Sequence, residues 1–332
     1  MQDKAPMPLF SIIIPTRDRA GLFERALDSV LAQTFDAFEV IVVNDGSSGE
    51  QLAAYRAIEG RDDARIRHHH LPHRRRGHGP AYSRNVGAEL ARGDYLCFLD
   101  DDDLWIDVGH LARCQASIER HDGAVDLYFT DQRALFADGR EHQGRLWISG
   151  IERIASESPD ALGNRRVTRA ELLSMPSFAH LNCTVFRRGL FESIGGMDET
   201  LRYENDRDVF LRAIDVAGVM LYNPSVVAQH HIPDANRADN VSTAVSMLEK
   251  KAFQLRIFDK AMIAAQSAEV RAYARRAKGY ELKNIGLALE RIGRRQEALA
   301  YMAEALPVSF SLRWFGYVML SALRVAVKGG RA

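Results

Sequence analysis

Over the first third of the chain, short apolar β-branched runs alternate with stretches whose apolar positions recur at helical spacing. Residues 9–14 are apolar and β-branched, and the run stops at Pro15. In 22–32, Leu22, Ala26 and Val30 or Leu31 share a helical face. Residues 38–43 predict a second strand that ends at the turn signal Asn44-Asp45-Gly46, and 50–58 predict a helix. A weaker strand follows at 66–70, then a helix over 79–91 with Pro80 in its first turn, where proline is tolerated. Residues 95–99 are again fully apolar. Strands separated by helices of about ten residues imply βαβ units and an α/β fold with a mostly parallel central sheet.

The middle of the chain is less regular. It predicts strands at 125–130, 181–186 and 219–222, the last ending before Pro224, and helices at 188–194 and 208–216. Between them, 137–166 is rich in Gly, Ser, Arg and Glu and reads as a long excursion. Beyond residue 240 the pattern is helical, with Leu248, Ala252, Leu255 and Met262 at positions that share a face. Residues 285–306 read as helix, turn near Gly293, and helix, like one tetratricopeptide unit. The expected organisation is a catalytic domain over 1–240, with halves at about 9–105 and 106–240, and a helical extension over 241–332.

Composition narrows the class. Lys plus Arg and Asp plus Glu are both 44, so no overall charge points to nucleic acid. Cys97, Cys114 and Cys183 are widely spaced and two lie in apolar runs, which suits reduced, buried thiols in the cytoplasm. Residues 1–8 lack the apolar core of a secretory signal. No run reaches the ~20 apolar residues that span a bilayer. The nearest, 314–327, is short and interrupted by Arg324.

The most informative stretch is Tyr95-Leu-Cys-Phe-Leu-Asp-Asp-Asp-Asp-Leu-Trp105. Four consecutive carboxylates at the exit of an apolar strand repel unless a cation shares the site, and oxygen ligands suit Mg²⁺ or Mn²⁺. Thr16-Arg17-Asp18 and Asn44 to Ser48 sit at the ends of neighbouring strands, and ligands of open parallel sheets bind beyond those carboxyl ends. Neither GxGxxG after the first strand nor GxxxxGK[ST] is present, against a dinucleotide enzyme or a P-loop.

Six ordered motifs carry a family resemblance: Ser11 to Arg17, Ser29 to Thr34, Val43 to Ser48, Ser83-Arg84-Asn85-Val86-Gly87, Phe98 to Trp105 and Gly195-Gly196-Met197-Asp198. Together they resemble the inverting glycosyltransferases of family two, which have the GT-A fold. The resemblance implies transfer of a sugar from a nucleotide-diphosphate donor, UDP in first place, to the hydroxyl of a saccharide or lipid-linked saccharide. It implies a divalent metal on Asp102 with Asp100 as companion, Asp101 and Asp103 being ambiguous. It also implies a nucleotide pocket from Pro15, Thr16, Arg17, Asp45, Arg84, Asp100 and Asp101. The family's base falls on Asp206, with Glu204 as the alternative, because Asn205 stands where the pattern has glutamate. A third metal ligand from His230 or His231 is expected, only one of which could reach the ion from a strand. Arg237 and Ser242 are candidates for closing over the diphosphate. The setting implied is bacterial surface polysaccharide assembly.

Residues 67–78, with five histidines and four arginines, read as a solvated loop near the donor. Two rival functions stand beside the transferase: a nucleotidyltransferase and a non-catalytic nucleotide-sugar-binding scaffold. The aromatic, cation-flanked segment 313–320 suits either the inner membrane surface or a packed helix, including one at a homodimer interface.

Overall fold

A computed structural model describes residues 7–144, 146–233 and 245–329. Two compact units emerge, Met1–Arg237 and Ala238–Ala332.

The first unit is built on one mixed sheet. Strands β1 (Phe10–Thr16), β2 (Phe38–Asn44), β3 (Ile66–His70) and β4 (Tyr95–Phe98) are parallel, with helices α1 (Ala20–Leu31), α2 (Gly49–Glu59) and α3 (Pro80–Leu90) in the crossovers. The chain continues through β5 (Leu104–Trp105), α4 (His110–Arg120), β6 (Leu127–Leu135), β7 (Arg165–Arg166), α5 (Arg169–Ser174), β8 (Thr184–Arg187), α6 (Arg188–Ser193), α7 (Asn205–Val216) and β9 (Met220–His231). The sheet order is β3-β2-β1-β4-β8-β6-β9-β5, and β7 also pairs with β9. Strands β8, β5 and β7 run antiparallel to their neighbours, and the rest are parallel.

β1 and β2 are buried along their whole length, which is why they read as continuous apolar runs rather than alternating ones. Phe10, Ile12 and Ile14 share a core with Phe23, Ala26, Leu27 and Val30 of α1. The buried face of α1 therefore runs through Phe23 and Leu27, and Leu22 is exposed. On the opposite face Ile13 meets α3 at Gly87, where a Cβ would lie 2.4 Å from an Ile13 methyl.

Two prolines lie inside strands where the sequence pattern predicts an end. Pro15 belongs to β1: its ladder with β4 ends at Ile13 and Phe98, so the side toward which Pro15 would donate has no partner strand. Pro224 lies inside β9. Pairing with β6 runs Phe129 to Tyr222 and then Asp131 to Val226, so the proline occupies a bulge that asks for no ladder bond. Between Phe129 and Gln132 of β6, β9 uses three more residues than its partner. The predicted strand at 181–186 is a 3₁₀ turn, Leu181–Cys183, followed by β8. α7 begins three residues before the predicted 208, which brings Asn205 and Asp206 into its first turn.

The second unit contains α8 (Met247–Ala264), α9 (Ala268–Arg291), α10 (Arg295–Val308) and α11 (Leu312–Gly329). Gly293, at φ +84°, turns the chain between α9 and α10. Ile285, Leu289, Ala298, Met302 and Val318 form the core here. The buried face of α8 is Gln254, Ile257, Phe258 and Ala261, so the predicted face is rotated: Leu248 and Leu255 pack at its margin and Ala252 is exposed.

Candidate functional site

The four carboxylates leaving β4 point in different directions, because a turn closed by Asp103 N–H on the Asp100 carbonyl (3.1 Å) follows the strand. Asp101 turns inward: it accepts from the Thr16 hydroxyl at 2.7 Å and pairs with Arg19 at 2.6 Å. Burial pushes its carboxyl up to about 7 against the attraction of Arg19. Asp102 pairs with the other arm of Arg19 at 2.9 Å. Asp100 is ion-paired with Arg84, and its N–H donates to Asn182 at 3.2 Å.

Asp103 is fully buried. It accepts from the Asn182 amide at 2.5 Å and the His231 backbone N–H at 2.7 Å, and lies 2.8 Å from His230 Nδ1. Burial alone would raise this carboxyl, but the two histidines outweigh it and hold it well below the usual range. His231 Nδ1 lies 2.6 Å from the Asp102 carbonyl. Both histidines therefore reach the acidic turn. One side-chain donates to a carboxylate and the other meets the backbone.

One oxygen from each of Asp100, Asp102 and Asp103 lies within 4.8 Å of the others. Three converging carboxylates with mutual repulsion fit a hard divalent cation. Neither histidine belongs to this trio; His230 orients Asp103 behind it.

The neighbouring strand ends supply the rest of the crevice. Thr16 is also 2.6 Å from the Tyr55 hydroxyl. Arg17 donates to the carbonyls of Arg74 (2.7 Å) and Arg75 (3.3 Å), while its buried Nη1 has no hydrogen-bond partner among the described residues. The Asp45 carboxylate accepts from the backbone N–H groups of His78 and Gly79 at the start of α3, and lies 2.7 Å from His78 Nδ1. The His78 ring stacks on Tyr82, and His73 Nδ1 lies 2.8 Å from the Gly46 carbonyl. The histidine-rich segment is tied down at three places, β3 at one end, His73 in the middle and His78 at the other. Between those ties it is solvated, with His70 and residues 72–76 exposed.

On the far side, the first turn of α7 carries the two candidate bases. Glu204 precedes the helix at φ +52° and pairs with Arg207 at 2.6 Å. Asp206 accepts from the Arg207 N–H at 3.0 Å, and burial raises its carboxyl above the ordinary aspartate range against the pull of Arg84. Asp208 is held by Arg212 at 2.5 Å. Arg84, itself buried, spans the crevice: it is paired with Asp100 and reaches Asn205 at 3.5 Å.

Four residues in this neighbourhood have no local signal in the sequence: Arg19, His180, Asn182 and Trp147. Trp147 lies at φ +53° in the 137–166 excursion, its ring edge-on to His180 and His230 at 5.5 Å each. Burial and the charge of His230 push His180 down to about 4. Only the Arg17-Asp18-Arg19 alternation after β1 offered a hint. Arg237 and Ser242 lie outside the described residues.

The profile of Glycosyl transferase family 2 matches residues 11–195. An uncharacterized glycosyltransferase of Rickettsia typhi is 27% identical over 263 residues, 75% of this chain and 71% of that protein. A PGL/p-HBAD biosynthesis glycosyltransferase of Mycobacterium bovis is 28% identical over 67% of this chain and 73% of its own length. Similarity to a Rickettsia bellii glycosyltransferase, at 39%, covers 29% of this chain and only 13% of that longer protein. Among solved structures, S. aureus TarS 1-349 in complex with UDP-GlcNAc superposes with a TM-score of 0.66 at 19% identity, over 90% of this chain and 81% of that one. The mannosyltransferase PcManGT of Pyrobaculum calidifontis, in complex with GDP-Man and Mn²⁺, gives 0.57 at 20% identity, over 98% and 89%.

Proposed function

Because this chain belongs to glycosyl transferase family 2 and has its GT-A fold, we propose that it transfers a sugar, with inversion, from a nucleotide-diphosphate donor to an acceptor hydroxyl. The observation that carries this reading is Arg84, which ties the acidic turn at Asp100 to Asn205, the residue before the candidate base.

Asp102 and Asp100, joined by Asp103, would hold Mn²⁺ or Mg²⁺. Bound there, the ion supplies positive charge against the leaving diphosphate. Asp206 takes the proton of the acceptor hydroxyl. Its raised proton affinity suits a base better than that of an aspartate in solution, and its Oδ1 is steadied by the Arg207 N–H. Glu204 is the weaker candidate, since its charge is engaged by Arg207. The unpartnered Nη1 of Arg17, beside Asp45, would offer a donor to the nucleotide, with Pro15, Thr16 and Asp101 as further candidates for its pocket.

A UDP-sugar is the first donor to try, GDP-mannose the second, after the ligands of TarS and PcManGT. The mycobacterial relative is named for PGL/p-HBAD biosynthesis, and we take the acceptor of this chain to be a saccharide or lipid-linked saccharide of glycolipid or surface-polysaccharide synthesis. The test is donor turnover with Mn²⁺. Release of nucleoside diphosphate by the wild type, lost in Asp206→Asn while donor binding persists, is the expected result. Pyrophosphate release would indicate a nucleotidyltransferase, and binding without turnover a scaffold.

A further inference from the structure

The last helix, α11, is apolar on two opposite faces. One faces its own bundle: Val318 is buried, Trp314 Nε1 donates to the Met302 carbonyl at 3.0 Å, and the Tyr317 hydroxyl donates to Glu290 at 2.6 Å. The other carries Leu312, Phe315, Met319 and Leu323, spaced at three and four residues, with Leu312 80% and Leu323 61% exposed. A helix apolar all round is ordinarily covered on all sides. No helix among the described residues is long and apolar enough to cross a membrane.

Charge selects the cover. Arg313 and Arg324 flank the exposed stripe on the same side and have no carboxylate partner among the described residues. From 305 to 332 the sequence holds Arg313, Arg324, Lys328 and Arg331 and no acidic residue. A second copy laid on this face through the same helix would bring cation against cation with no acid on either helix to offset them.

We propose that α11 lies in the surface of an anionic bilayer, its outer stripe among the acyl chains and its arginines on lipid phosphates. Apolar area and attraction to anionic lipid together set the strength of such helices. The inference rests on the second unit alone and is independent of the donor chemistry.

The experiment is co-sedimentation of the full chain with phosphatidylcholine vesicles, with and without about a third of phosphatidylglycerol. Binding to the anionic vesicles that weakens with salt is expected. Phe315→Glu/Leu323→Glu should abolish it, and Arg313→Glu/Arg324→Glu should weaken it at least about thirtyfold, each cation contributing about fivefold at such a surface. Both pairs are exposed and should leave the circular dichroism spectrum unchanged. Failure to sediment with anionic vesicles overturns the proposal. So does a dimer in light scattering that Phe315→Glu/Leu323→Glu dissociates, since the stripe would then be covered by a second copy. Equal binding to both vesicle types overturns the role given to the arginines.

Discussion

His110 is buried at the start of α4, edge-on to Trp105, and neither ring nitrogen has a hydrogen-bond partner. Burial, aided by Arg113, pushes it down to about 3 from 6.5. Between those values the unfolded chain binds a proton that the folded chain refuses, so stability falls as pH drops, by about 1.4 kcal/mol per unit. His110→Phe keeps the ring and removes the unpaired nitrogens. We expect it to stabilise the fold by about 1–3 kcal/mol at pH 7 and by more at pH 5, measured by urea unfolding at both. Asp206 shows the opposite shift with a functional readout. Its carboxyl is raised by burial, and a base must be ionised, so kcat/KM should fall on acidification at a pH above the ordinary aspartate range. Asp206→Asn should lower turnover by about 10²–10⁴-fold, leave donor affinity nearly unchanged and abolish that acid limb.

At the scale of elements, the seam between α3 and β1 positions Arg84. Gly87 lies one turn beyond that arginine, and a side chain there meets Ile13 in the sheet. Gly87→Ala should cost about 1–3 kcal/mol through overpacking, exceeding the roughly 1 kcal/mol that alanine adds to a helix interior, and should weaken donor binding. Ile13→Ala in the same chain should relieve part of the cost, a non-additivity that a double-mutant cycle measures. The order of strands and crossover helices through β4 was readable from the sequence, because fully buried strands leave apolar runs and helices leave a period. The strand ends at Pro15 and Pro224 were not. A proline interrupts a ladder only where a neighbour is waiting, and which neighbour stops short is a fact about other strands. The directions of Asp100 to Asp103 were hidden for a related reason: Asn182, His230 and His231 are far along the chain, and a run of identical residues carries no phase.

For the molecule as a whole, every candidate catalytic and nucleotide-binding residue among the described residues lies in the unit Met1–Arg237, while Ala238–Ala332 has a core of its own. A chain ending at Arg237 should therefore fold and bind donor with an affinity within a few-fold of the full chain, as titration calorimetry would show. Millimolar Mn²⁺ should raise the melting temperature of either form by relieving repulsion among the carboxylates, and Asp102→Asn should remove most of that rise. The helical character of the tail was visible in its composition, but the outer stripe of α11 was not separable from its buried face. Both are apolar, and only packing tells them apart.

The slip between β6 and β9 bears on what kinds of inherited change this protein tolerates. Substitutions at Pro224 or Ser225 alter a bulge that bears no ladder bonds at Pro224 and leave the later pairing in step, whereas Asn223 is buried and hydrogen-bonded to Leu162 and Asn164. Losing a single codon there is different, because a one-residue shift exchanges the two sides of a strand. His230 and His231 would trade places with their neighbours, and Asp103 would lose both histidine partners at once, keeping only Asn182. Across a lineage positions 224 and 225 should vary in spelling, and the stretch hardly at all in length.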